Sequence, residues 1–305
     1  MAAFNPSGRS RRAIRAALAG VLCSLGLIDF PGLRAAELTA ETLLQQANAV
    51  YAQGNHSAAL ALAGKAIQAE PNDPRGYFLR GRIHSSAKEH NKAIADLDQG
   101  LKLQPRTAEA YQLRGSEHFM LGHIQASIAD FDKFIEIVPA QEPYHWQRGI
   151  SYYYAGRYAE GRKQFESHQT VNGNDVENAV WHYLCVARAA GVTNARNSLI
   201  KIRQDSRVPM MQVYALFAGQ LQPEDVLAAA QAGPASGSQL KGQLFYAHLY
   251  LGLFYEAAGA AKLAREHITK AVRDYPEDHY MGEVARVHLQ LLDEKGGRRP
   301  PLPVR

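Results

Sequence analysis

The sequence predicts an all-α solenoid of stacked helix–turn–helix units. Two periodicities carry that prediction. Pro71, Pro105 and Pro139 recur 34 residues apart, and so do Gly81, Gly115 and Gly149. Around those glycines, Leu79-Arg80-Gly81, Leu113-Arg114-Gly115 and Gln147-Arg148-Gly149 share one register, as do Ala93-Ile94-Ala95-Asp96-Leu97 and Ser127-Ile128-Ala129-Asp130-Phe131. A fixed period of this length means one supersecondary unit repeated, each unit unable to bury its apolar face alone.

Four early units follow in order. The first, 40–73, places Ala47, Ala59, Ala63, Ala66 and Pro71; the second, 74–107, Gly81, Ala93, Leu97 and Pro105. The third, 108–141, places Gly115, Ser127, Phe131 and Pro139, and the fourth, 142–175, keeps Gly149, Gly161 and Phe165 but loses the proline. Gly or Ala lets the two helices of a unit cross closely, and the proline stops the second helix. Arg80 with Asp96, and Arg114 with Asp130, are expected to form ion pairs across the two helices of a unit rather than an anion-binding ladder. From 174 to 244 the pattern decays, although helices are expected at 176–190, 194–204, 209–219 and 223–232. A further unit at 245–278 carries Gly252, Tyr255, Gly259, Ala264, Ile268, Ala271 and Pro276. A last helix near 279–294 is expected to cap the stack.

This 34-residue pattern resembles the tetratricopeptide repeat, which implies a right-handed superhelix with a degenerate helical middle and a C-terminal capping helix. The expected divisions are 1–36, a signal peptide or N-terminal anchor; 37–173, repeats 1–4; 174–244, degenerate repeats; 245–295, a repeat plus capping helix; and 296–305, a disordered tail. The order of export signal, early repeats, degenerate W-x-x-L helical middle and one good late repeat also resembles NlpI-type bacterial envelope proteins. That resemblance implies an adaptor that brings envelope partners together and often dimerises. Those proteins carry a lipid on cysteine. Here Leu22 before Cys23 is too large for a lipoprotein cleavage box.

Of 305 residues, 46% are hydrophobic and 21% charged, which excludes disorder over the whole chain. The formal charge of +5 is concentrated at the ends: +4 in residues 1–36, +3 in 296–305 and −2 in 37–295. The folded part therefore has no basic surplus for nucleic acid. Arg9 to Arg15, the apolar run Ala16 to Ile28 and small residues at Ala35 and Ala36 make the three parts of a secretory signal, 13 apolar-core residues being short for a span. The expected location is the periplasm or cell envelope, with membrane contact only through 1–36 if that segment is not cleaved.

No nucleotide-binding, nucleophile-elbow or zinc-protease motif occurs, so neither an enzyme nor a cofactor is expected. His118 with His123, and His182 with Cys185, lack the further ligands that a metal requires. Cys185 sits in an apolar helical run, where a thiol is inert.

The resemblance implies a concave groove lined by positions 2, 5, 9, 12 and 13 of each first helix. The candidate protein-binding residues are Arg75, Phe78, Arg82, Gln112, Ser116, Phe119, Trp146, Ile150, Tyr153 and Tyr154. Position 5 reads Leu44, Phe78, Gln112 and Trp146, so the Lys/Asn clamp of chaperone-tail binders is absent. Phe78, Phe119, Trp146, Tyr153 and Tyr154 suggest a continuous aromatic strip for a hydrophobic helix or extended peptide. The alternatives are a groove filled by the protein's own helices, with 174–295 curling back, or by a second copy in a homodimer.

Overall fold

The computed structural model describes residues 39–294; the expected signal segment and C-terminal tail lie outside them. Residues from Thr39 onward form one compact unit. The first three helical pairs repeat with a shift of 34 residues at their starts: α1 (Ala40–Ala52) with α2 (His56–Ala69), α3 (Pro74–Ser86) with α4 (His90–Leu103), and α5 (Ala108–Met120) with α6 (Ile124–Ile137). Capping sets the starts. The side chains of Thr39, Asn55 and Asp73 accept from backbone N–H groups of Thr42, Ala58 and Arg75, and Pro74 occupies the first turn of α3.

The turn inside each pair needs one left-handed residue. Gly54, Gly122 and Gly156 supply it at φ of 79°, 73° and 75°. The second repeat has Lys88 there instead, at φ 57°. Its ammonium bonds Asp278 at 2.8 Å and lies 3.2 Å from Glu283. This turn is thereby joined to the far end of the chain.

The fourth pair starts late. Pro139 and Pro143 replace the first helical turn by a 3-10 segment, Pro139–Tyr144, before α7 (Trp146–Tyr154) and α8 (Tyr158–His168). The α8 side chains hold this segment: Gln164 Nε2 donates to Glu142 O at 2.7 Å, and His168 Nδ1 lies 2.8 Å from Pro143 O.

The degenerate middle is helical: α9 (Val176–Ala190), α10 (Val192–Asn197), α11 (Met210–Phe217) and α12 (Pro223–Gln231). The helix expected over 194–204 is the departure, since α10 ends at Asn197. Residues 199–206 are irregular, and polar side chains there satisfy backbone groups. Asp205 accepts from Val176 N at 3.3 Å and Arg207 N at 3.0 Å, and Asn174 accepts from Arg203 N at 3.4 Å. Pro209 also disfavours helix at Val208. Then come α13 (Gly237–Ala257), which starts before the late repeat expected from 245, α14 (Ala261–Arg273) and α15 (Tyr280–Glu294).

Close crossing of the paired helices is visible at the glycines. A Cβ at Gly115 or Gly149 would come within 2.7 Å of the Phe131 or Phe165 ring, and one at Gly252 within 2.6 Å of Ile268. Beside these crossings runs a ladder. Arg80 forks onto Asp96 at 2.8 and 2.6 Å, and Arg114 onto Asp130 at the same distances. Arg114 also reaches back to Asp98 at 2.5 Å and Arg148 to Asp132 at 2.7 Å. The pairs are thus intra-repeat, as expected, with a second rung joining successive repeats.

Glycine substitutions separate crossing from propensity. Gly115→Ala should lower the unfolding free energy by about 1–3 kcal/mol through overpacking against Phe131. Gly64→Ala, in α2 with nothing within 4 Å of the added carbon, should raise it by about 0.5–1 kcal/mol. Urea denaturation of the two variants checks both signs.

Candidate binding groove

The first helices of the pairs, α1, α3, α5 and α7, present the groove positions. At the N-terminal end these side chains face solvent and link neighbouring repeats. Arg75 bonds Asp73 at 2.8 Å and Glu41 at 2.5 Å, two acceptors that hold its guanidinium charged. Arg82 donates to Asn48 Oδ1 at 2.6 Å and lies 5.4 Å from the Tyr51 ring centroid. These contacts are with neutral groups, so the charge of exposed Arg82 remains available to a ligand. A cleft of about 340 Å³ opens here, its wall including Asn48, Arg75, Phe78, Arg82, Glu109 and Leu113.

Phe78 is half-buried rather than projecting. Its ring lies over Gly100, where an added Cβ would sit 2.4 Å away, and packs with Leu97, Leu101 and Ala110. It forms the apolar floor of the cleft.

Further along, the groove residues bond to one another. His145 Nε2 donates to Gln112 Oε1, Gln112 Nε2 donates to Gln147 at 2.6 Å, and Ser116 Oγ donates to Gln112 O at 3.1 Å. Gln112, and Ser116 through a 3.5 Å bond from Gln147 Nε2, thus tie α5 to the start of α7.

The continuous aromatic strip does not exist as an exposed surface. Phe119 and Ile150 are 0% exposed, Tyr153 2% and Tyr154 8%. Returning helices cover them. Tyr280, at the start of α15, stacks on Phe119 with centroids 5.6 Å apart and meets half-buried Trp146 edge-on at 5.1 Å. Tyr154 Oη lies 3.0 Å from His288 Nδ1, and Tyr153 donates to Glu256 on α13 at 3.4 Å. The physical reason is burial: four large side chains left in water would each forgo about 1.5–3 kcal/mol. The groove is therefore open along α1, α3 and α5 and closed by the chain's own helices from Phe119 onward. Tyr280, His288 and Glu256 were not anticipated. One signal for them was the wide apolar face of α15, with Met281, Val284, Ala285, Val287, Leu289 and Leu292 all buried, broader than an end cap needs.

Among the described residues, no group of three or more His, Cys, Asp or Glu could hold a metal. Cys185 is buried, and burial pushes its thiol well up, away from the reactive thiolate. No helix among them is long and apolar enough to cross a membrane.

These helical pairs and their ladder define an all-α repeat solenoid. Within it, residues 50–116 match the family model described as tetratricopeptide repeat. Among solved structures, the chain is similar to YrrB, described as a TPR protein with an unusual peptide-binding site, at 16% identity and TM-score 0.53, covering 61% of this chain and 94% of that one. It is similar to the MamA protein at 16% identity and TM-score 0.50, covering 65% and 98%. At such identities the likeness shows the fold alone. No curated protein sequence gives a match.

His145 makes the junction between the two groove halves sensitive to acid. Its Nδ1 accepts from Arg148 N at 3.2 Å, capping α7, while Nε2 donates to Gln112, so the fold holds the neutral ring. Burial pushes its pKa from 6.5 down to about 4, and His248 is likewise pushed to about 4. Between these values the unfolded chain takes up protons that the folded chain refuses. Stability present above pH 6.5 is therefore lost as pH falls towards 4. Urea midpoints across this window should decline, and less steeply in His145→Asn, which keeps a capping side chain without a titrating ring.

Proposed function

We propose that this protein is a non-enzymatic, exported scaffold that binds an extended peptide or helix of another protein along α1, α3 and α5. The observation that carries the reading is the open cleft with Phe78 at its floor and Arg82 at its rim, contacted only by neutral groups. A ligand fitting it places an apolar side chain against Phe78 and Leu113 and a carboxylate on Arg82, a charge-assisted contact. Peptide binding by YrrB, the similar solved structure, supports this class of ligand.

Export rests on the composition of residues 1–36, and an adaptor role in the bacterial envelope on the NlpI-type layout. Cleavage near Ala35 or Ala36 should appear as a mature chain, in intact-mass spectra of the envelope fraction, that begins near Glu37 and lacks the leader's formal +4. An intact basic chain in that fraction overturns cleavage.

Selection of a displayed random peptide library on the full chain tests the groove. Enriched peptides should pair an acidic with an apolar residue. Arg82→Glu should weaken them at least tenfold, about 1.4 kcal/mol, with the thermal midpoint unchanged. Phe119→Ala, by contrast, should cost about 3–5 kcal/mol of stability, because it empties a buried site. Peptides that bind Arg82→Glu as well as wild type overturn the groove assignment.

The closed half favours a second reading, a subunit whose covered groove serves assembly. Light scattering decides it: a dimer or larger species supports assembly, and a monomer that binds peptide opposes it.

A further inference from the structure

Behind the closed half of the groove lies a second cavity, of about 330 Å³, at the lower end of small-ligand pockets (about 300–1,000 Å³). Its wall combines the aromatic side chains Trp146, Trp181, Tyr246 and Tyr280 with the carboxylates Asp175 and Glu177. No Lys or Arg is among its lining residues. Two histidines are: His279 stacks on Tyr246 at 5.7 Å with its pKa lowered by burial, and His168 bonds a backbone carbonyl.

The charge beside this wall is unbalanced. Arg207 is shared by Asp175 at 2.8 Å, Asp205 at 2.6 Å and Glu177. One guanidinium against three carboxylates leaves a formal −2. Burial raises the Glu177 carboxyl despite Arg207 and despite a hydrogen bond from Tyr250 at 2.6 Å, so a further cation beside it would favour its ionised form. A further acceptor lacks a partner: Asn178 Oδ1, on a side chain that lines the same cavity and is 3% exposed. Aromatic faces carry negative charge density, and carboxylates beside them complete what an organic cation requires.

The geometry points to this cavity as a binding site for an organic ammonium group, held by the aromatic wall and by the surplus negative charge of Asp175 and Glu177. The group is supplied either by a small quaternary amine or by a lysine side chain of a partner. The site is separate from the open cleft along α1, α3 and α5, since it lies among α7, α8, α9, α13 and α15.

The chain carries its own reporter, because its two tryptophans, Trp146 and Trp181, both line the cavity. Tryptophan emission of the full chain is titrated with choline, with Nα-acetyl-lysine amide and with 3,3-dimethylbutanol, the neutral isostere of choline. At least one cation should give a saturable change at least tenfold tighter than the neutral isostere. Saturation by choline alone identifies a small amine, and saturation by the lysine amide alone a partner's side chain. Glu177→Gln should weaken the cation at least tenfold. Because that residue is partly buried and holds Arg207, Asp175→Asn, which keeps a capping side chain at α9, provides a second variant; melting curves verify that each is folded. Equal affinity for the isostere, no saturable response to either cation, or unchanged affinity in both folded variants overturns the assignment.

Discussion

Everything else in this structure depends on how closely the two helices of a pair approach, and that approach is set by residues sixteen apart. Gly81 meets the turn of Leu97, Gly115 that of Phe131, Gly149 that of Phe165, and Gly252 that of Ile268, and in the first pair Ala47 and Ala63 are both fully buried in one cluster. Where the first residue has no Cβ, the second can be a full aromatic ring, and the ring fills the space that the missing methyl leaves. The preceding residues, again sixteen apart, then face each other on one side. Arg80 and Asp96, Arg114 and Asp130, and Arg148 and Gln164 form the ladder for that reason. The ladder follows from the crossing and does not cause it: partly exposed pairs of this kind contribute little, whereas a misplaced Cβ shifts two helices.

The same crossing explains why the groove could not remain an open aromatic strip. First helices held at a fixed spacing present their inner positions in one line, and from α5 onward that line reads Phe119, Trp146, Ile150, Tyr153, Tyr154. The chain supplies its own cover in α13 and α15, and the largest hydrophobic core runs from Phe119 to Leu292. At the N-terminal end positions 2 and 9 are Glu41, Arg75, Asn48 and Arg82, which need no cover, while Leu44 and Phe78 at position 5 are buried or half-buried among neighbouring helices. The division between binding surface and core is thus written as a change of residue type along one geometric line.

Much of this was legible in the sequence. The crossings, the ion pairs of Arg80 and Arg114 and the starts of α3 and α5 repeat at a fixed period, and a period is local information. Helix α9 was legible as well, since Val176 to Ala190 carries a continuous apolar face ended by Gly191. The closure was legible only as one alternative, 174–295 curling back, and its contacts were not. Phe119 and Tyr280 lie 161 positions apart, and Tyr154 and His288 lie 134 apart, so neither contact leaves a periodic trace. The 3-10 segment before α7 was half legible: the prolines were in view, but the α8 side chains that make the broken turn tolerable were not. Position within the repeat put Trp146 and Ile150 on the inner face of α7 without revealing that Tyr280 of α15 packs there.

Net charge misleads for a related reason. The whole chain is formally +5, and residues 37–295 are −2, yet neither value describes a recognition surface. Arg82 bonds no carboxylate at the open groove, and three carboxylates share one guanidinium beside the aromatic cavity. A Debye length of about 8 Å at physiological ionic strength confines exposed charges to local influence. Partly buried ones such as Glu177 are screened less, so a few residues in the right surroundings outweigh the sum over the chain. A solenoid suits this arrangement, because each pair of helices contacts mainly its neighbours and so can carry its own local charge. Sign and place, repeat by repeat, are therefore what decide which ligand each stretch of this chain can accept.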